Sequence, residues 1–148
     1  MAEVEELIPE VEKKLESSQK KWSSIVISIK QRLFEEVQKM PEVEAESISH
    51  IQILTDEITS YSLRIAKHMS KYRKMEKEKF EFYCMGYKIK TNAAEKNKLI
   101  GADLSSHQHH INIFEIHVEF LRETKKNLDN IRWAVKNKIE LYNQLGIN

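Results

Sequence analysis

The segment Lys71-Tyr72-Arg73-Lys74-Met75-Glu76-Lys77-Glu78-Lys79-Phe80-Glu81-Phe82-Tyr83 interleaves cations with aromatic rings. Lysine and arginine neutralise phosphates and release counterions, while aromatic faces accept unpaired bases of any identity, so this mixture suits single-stranded nucleic acid. Lys71, Arg73, Lys74, Lys77 and Lys79 are the candidate phosphate contacts, and Phe82 and Tyr83 the candidate stacking rings. Two other readings fit the same residues. Tyr72, Met75, Phe82 and Tyr83 can form the core face of a helix whose lysines are simply solvated, and a basic amphipathic helix can lie on an anionic membrane. Glu76, Glu78 and Glu81 weaken the membrane reading.

Catalytic constellations are missing from the sequence. There is no Glu-x-x-His pair for a di-iron bundle, no Gly-rich phosphate loop, no Cys-x-x-Cys pair and no His-Glu-x-x-His helix. His107, His110 and His117 share a helical face and His109 lies beside them, but no cysteine or second chelating helix accompanies them. Partly buried or surface histidines are the simpler reading. We therefore expect no enzyme activity, no cofactor and no metal.

The elements that position the basic segment follow from composition. The 148 residues include only three Gly and two Pro against 41% apolar residues, which excludes a many-stranded sheet fold and leaves an all-α protein with one domain's worth of chain. Charge is unevenly spread although the net is only +1. Residues 1–60 hold 7 basic against 13 acidic side chains, residues 64–98 hold 11 against 4, and residues 99–148 hold 6 against 6. An acidic N-terminal region, a basic middle segment and a neutral C-terminal region thus make up a single helical domain, and the basic middle points to an anionic partner. The one cysteine, Cys84, excludes an intramolecular disulfide, and no apolar run approaches the ~20 residues that span a bilayer. The acidic Glu3, Glu5 and Glu6 do not suit a secretory leader, so a cytoplasmic address is expected.

Apolar residues recur in steps of three and four in three series. Val4, Leu7, Val11, Leu15, Trp22, Ile25, Ile29, Leu33, Val37 and Met40 predict a first helix from about Pro9 to Lys39, ended by Pro41. Ile48, Ile51, Leu54, Ile58, Tyr61, Ile65, Met69, Tyr72, Met75 and Phe82 predict a second, ending near Gly86, with 87–97 as a basic connector. Leu104, Ile111, Phe114, Val118, Leu121, Leu128, Ile131, Val135 and Ile139 predict a third, starting near Ala93 or Asp103 and ending at Gly146. Three long helices in an elongated bundle or helical hairpin cannot easily hide all these stripes, so a homo-oligomer is expected.

Lys77-Glu78-Lys79-Phe80-Glu81-Phe82-Tyr83, followed by Gly86, resembles the basic, any, basic, apolar, acidic, aromatic, aromatic stretch of the UvsY-like recombination mediators of T4-type bacteriophages. Lys98-Leu99-Ile100-Gly101-Ala102-Asp103 is similar to their Lys-x-x-x-x-Asp element, and Phe120-Leu121 through Leu128 and Ile131 to Trp133-Ala134-Val135-Lys136-Asn137-Lys138-Ile139 is similar to their closing segment. Lys79 stands where the family commonly has Arg. The resemblance spans about residues 60–145. It implies a non-enzymatic protein that binds single-stranded DNA as a ring-shaped homo-oligomer through the C-terminal helices. It further implies that the protein displaces single-strand binding protein and loads a strand-exchange recombinase, in the host cytoplasm if phage-encoded. The rival from another class is a coiled-coil adaptor that binds partner helices and no nucleic acid.

Overall fold

The structure, a computed structural model, describes residues 2–87 and 89–146; Lys88, one of the cations of the basic segment, lies outside the described residues. Four helices account for nearly all of it: α1 (Ala2–Gln31), α2 (Met40–Glu81), α3 (Ala93–Asp103) and α4 (Ser105–Gln144). No strand occurs among the described residues. Three long helices are present at 30, 42 and 40 residues, and the two starts expected for the third series, Ala93 and Asp103, are the two ends of a separate short helix, α3. No helix among the described residues is long and apolar enough to cross a membrane.

Both prolines differ from expectation. Pro9 lies inside α1, where the acidic Glu3 and Glu5 suit the positive end of the helix and carry its start back to Ala2. Pro41 opens a helix instead of closing one: it is the second residue of α2, where a missing amide hydrogen costs nothing. The first helix instead ends at Gln31, tightens into a 3-10 turn at Arg32–Phe34 and turns extended at Glu35 (φ −71°, ψ 169°). The ammonium of Lys138 donates to the carbonyl oxygens of Leu33 and Glu35, 2.7 Å each, satisfying acceptors that the ended helix leaves open. Arg32 also pairs with Glu35, Glu42 and Glu46 across the turn.

The chain divides into two compact units, Leu15–Ser60 with His117–Asn148 and Met1–Lys14 with Tyr61–Ile116. In the first, heptad steps bury Leu15, Trp22 and Ile29 on α1 and Leu121, Leu128 and Val135 on α4, with Met40, Val43 and Leu54 from α2. Trp22 donates through Nε1 to Glu57 Oε2 at 3.1 Å and meets the His50 ring edge-on at 5.8 Å. The buried hydroxyls of Ser47 and Thr124 donate back to the carbonyls of Val43 and Phe120, four residues earlier, at 2.8 Å each. His117 is buried with Gln19 Nε2 3.3 Å from its Nδ1, and burial holds its imidazole below the usual value.

In the second unit, Glu5 accepts from Ser106 Oγ at 2.7 Å and Glu12 lies 3.4 Å from His109 Nε2, tying α1 to α4. His68 of α2 and His110 of α4 meet edge-on at 4.9 Å against Phe114, and burial first, with nearby positive charge second, lowers both imidazoles. His107, His110 and His117 therefore fall in different units. Among the described residues no group of three or more His, Cys, Asp or Glu is placed to hold a metal ion.

Candidate functional site

The described residues of the basic segment belong to the unit formed by Met1–Lys14 and Tyr61–Ile116. Its end is shaped by α3. Asn92 caps this helix with its side chain, accepting from the Glu95 amide at 2.9 Å, while Glu95 reaches back to the Asn92 amide at 3.2 Å. This reciprocal box starts a helix at Ala93, one of the two starts expected from the sequence, so only the first part of 87–97 is a connector. Leu104 (φ −104°, ψ 9°) breaks the chain between α3 and α4.

The capped helix carries Ile100 and Leu104 into a small core with Tyr83, flanked by Tyr72, Met75 and Leu99. Helix α2 meets this core through a π-helical turn, Phe82–Gly86, which ends it where the sequence predicts. Tyr83 donates its hydroxyl to Asp103 Oδ2 at 2.6 Å, and Lys79 Nζ lies 3.6 Å from the same oxygen. The two separately noted sequence elements, Lys77 to Tyr83 and Lys98 to Asp103, thus meet at one carboxylate.

Of the two readings open for Tyr83, stacking ring or core residue, this arrangement fits the core one. Tyr83 is buried, its ring meets those of Phe82 and Tyr87 at steep angles with centroids 5.2 and 4.9 Å away, and its hydroxyl donates to Asp103. Lys79 is likewise drawn to Asp103 and is not a fully available cation. Phe82 remains half-exposed. It lines an apolar cleft of about 390 Å³ with Met75, Glu78, Lys79, Leu104 and His107.

Arg73 and Lys77 go elsewhere. They line a different cleft of about 340 Å³ between α2 and α3, together with Tyr72, Glu76, Phe80, Asn97, Ile100 and Gly101. Arg73, Lys77 and Phe80 follow one another by four and three residues, which stacks them on one face of α2. The Phe80 ring is 47% exposed there, and Gly101 opposite has nothing within 4 Å of where a Cβ would stand, so the wall is open. Two cations beside an accessible ring make a surface on which a phosphate and a planar base can be held together. Lys71 and Lys74 are exposed, on faces of α2 that line neither cleft. Phe80 and Asn97 are the candidate residues that sequence reasoning passed over; the four-and-three spacing from Arg73 was the available signal for Phe80.

The Asp103 contact has a measurable consequence. By accepting a hydrogen bond from the neutral phenol, with burial adding to the effect, Asp103 pushes Tyr83 up from 10 to about 12. The neutral phenol is the form that the fold favours, so this contribution to stability is complete below pH 10 and lost as pH rises through about 12. In a spectrophotometric alkaline titration, Tyr83 is expected to ionise last of the five tyrosines, after Tyr72, which burial and the nearby Glu76 charge also raise. Tyr83→Phe should remove the late step and Asp103→Asn should bring it down towards the others. A titration in which all tyrosines ionise together would show that the contact does not persist in solution.

Comparison of the chain with protein-family models, curated proteins and solved structures returns no match.

Proposed function

We propose that this chain is a non-enzymatic single-stranded DNA binding protein that works as a recombination mediator. In this reading it assembles as a homo-oligomer, helps displace single-strand binding protein and assists loading of a strand-exchange recombinase. The observation that carries the DNA role is the cleft that Arg73 and Lys77 line together with the half-exposed Phe80. The resemblance to UvsY-like mediators supplies the mediator role, and the meeting of its two elements at Asp103 supports treating them as one site.

Self-association is supported by apolar side chains left at the surface of α4. Trp133 is 54% and Leu141 53% exposed, eight residues apart and hence on one stripe of the helix. Burying such a stripe against another copy would remove apolar area from water. Repetition of a modest cleft around an oligomer would then raise affinity for a long strand without further contacts.

The test is binding of fluorescent single-stranded and duplex oligonucleotides across a salt series. Preference for the single strand, weakening steadily with salt, is the expected result. Negligible binding to both, at protein concentrations where the chain is helical, would discard the DNA role and favour a helical adaptor instead.

A further inference from the structure

A phosphate-and-stacking surface built only from cations and a ring is indifferent to base identity, but this cleft also contains a carboxylate. Glu76 lies four residues before Phe80 on the same face of α2, and Asn97 lines the cleft from α3. Among the described residues Glu76 makes no hydrogen bond or ion pair; it lines the cleft with Arg73 and Lys77 as its helical neighbours, and its charge acts on the Tyr72 phenol of the same lining.

We propose that Glu76 makes the cleft selective for bases that carry an exocyclic amino group over thymine. The inference rests on the nucleic-acid reading of the cleft. A carboxylate only accepts hydrogen bonds, whereas an asparagine amide both donates and accepts. With a base stacked on Phe80, cytosine offers its N4 amino group to Glu76 and its N3 acceptor to the Asn97 amide; adenine offers the equivalent pair, N6 and N1, and guanine offers N1–H and its N2 amino group. Thymine presents two carbonyl oxygens on either side of a single N3–H. Any approach to Glu76 brings one of those oxygens against the carboxylate, and an unmade hydrogen bond to a desolvated acceptor is costly.

Oligo(dC) and oligo(dT) of equal length separate this effect from others, because both are flexible pyrimidine strands with the same charge. At mildly alkaline pH, where cytosine is unprotonated, fluorescence anisotropy is expected to give about fivefold tighter binding to oligo(dC), the low end of what a well-formed carboxylate–amino contact discriminates. Glu76→Gln keeps the shape and gives position 76 a donor. It should tighten binding to both strands by removing negative charge from a cationic cleft, while bringing their ratio close to one. The ratio is the readout, since a carboxylate acting only through its charge changes both affinities alike. Equal binding of the two strands by the unmodified protein, or a cytosine preference that survives Glu76→Gln, overturns base selection while leaving the DNA role standing. Absence of binding to either strand overturns both.

Discussion

Combined reversal of the two cleft cations, Arg73→Glu with Lys77→Glu, is expected to weaken single-stranded DNA binding by roughly two orders of magnitude at about 50 mM salt. Each phosphate contact contributes about 0.7 to the slope of log affinity against log salt for a single strand, which at that concentration is close to a tenfold factor per contact. Both side chains are exposed, so the exchange should cost the fold within about 0.5 kcal/mol. Losing two contacts should also flatten the salt dependence, by about 1.4 in slope. Phe80→Ala offers the contrasting signature: loss of a stacking face, on the order of 1–3 kcal/mol, with the slope unchanged. Lys79→Ala should do far less than either, because its ammonium already lies beside Asp103. Anisotropy titrations of the variants over a salt series read all of these effects. A charge-reversed protein that keeps the affinity and slope of its parent would remove the cleft from consideration as the DNA surface.

The difference between Lys77 and Lys79 marks the limit of what the sequence could say about the site. Residue types and their clustering identified the segment, and helical spacing alone would have grouped Arg73, Lys77 and Phe80. Their environments depend on α3, whose last residue, Asp103, lies twenty positions beyond Tyr83 in the chain. Adjacent residues Phe82 and Tyr83 therefore end in opposite surroundings, one half-exposed and one buried, for a reason that no local pattern carries. The helix itself was partly legible, since Asn92 and Glu95 stand at capping-box spacing. Long-range periodicity was read more directly. Leu15, Trp22 and Ile29, like Leu121, Leu128 and Val135, recur every seven residues and are all buried. Proline was ambiguous because it both ends helices and begins them. At Pro41 the outcome turned on Lys138 and Arg32, which complete the turn before it through contacts distant in sequence.

Among these heptad residues Trp22 should be the most costly to truncate. It is 1% exposed and is the largest of the fully buried side chains. Trp22→Ala removes the bulk of an aromatic side chain from a packed site and leaves a cavity that neighbours fill only partly, so a loss of about 3–5 kcal/mol is expected. It also removes the indole N–H that Glu57 accepts, leaving a half-buried carboxylate short of a donor. Trp22→Phe divides the two contributions. A phenyl ring keeps much of the volume and the edge-on approach to His50 but cannot donate, so its cost should be much nearer that of one hydrogen bond to a charged group, about 1.5–3 kcal/mol. Denaturant unfolding followed by circular dichroism measures both, at one fixed protein concentration because self-association would otherwise shift the midpoint. For a chain of this size the alanine variant should melt on the order of 10 °C lower. Since Trp22 and the Arg73–Lys77–Phe80 cleft belong to different units, the folded alanine variant should retain its salt slope for single-stranded DNA. A destabilisation below about 1 kcal/mol would mean that the α1 heptad face is not packed as described.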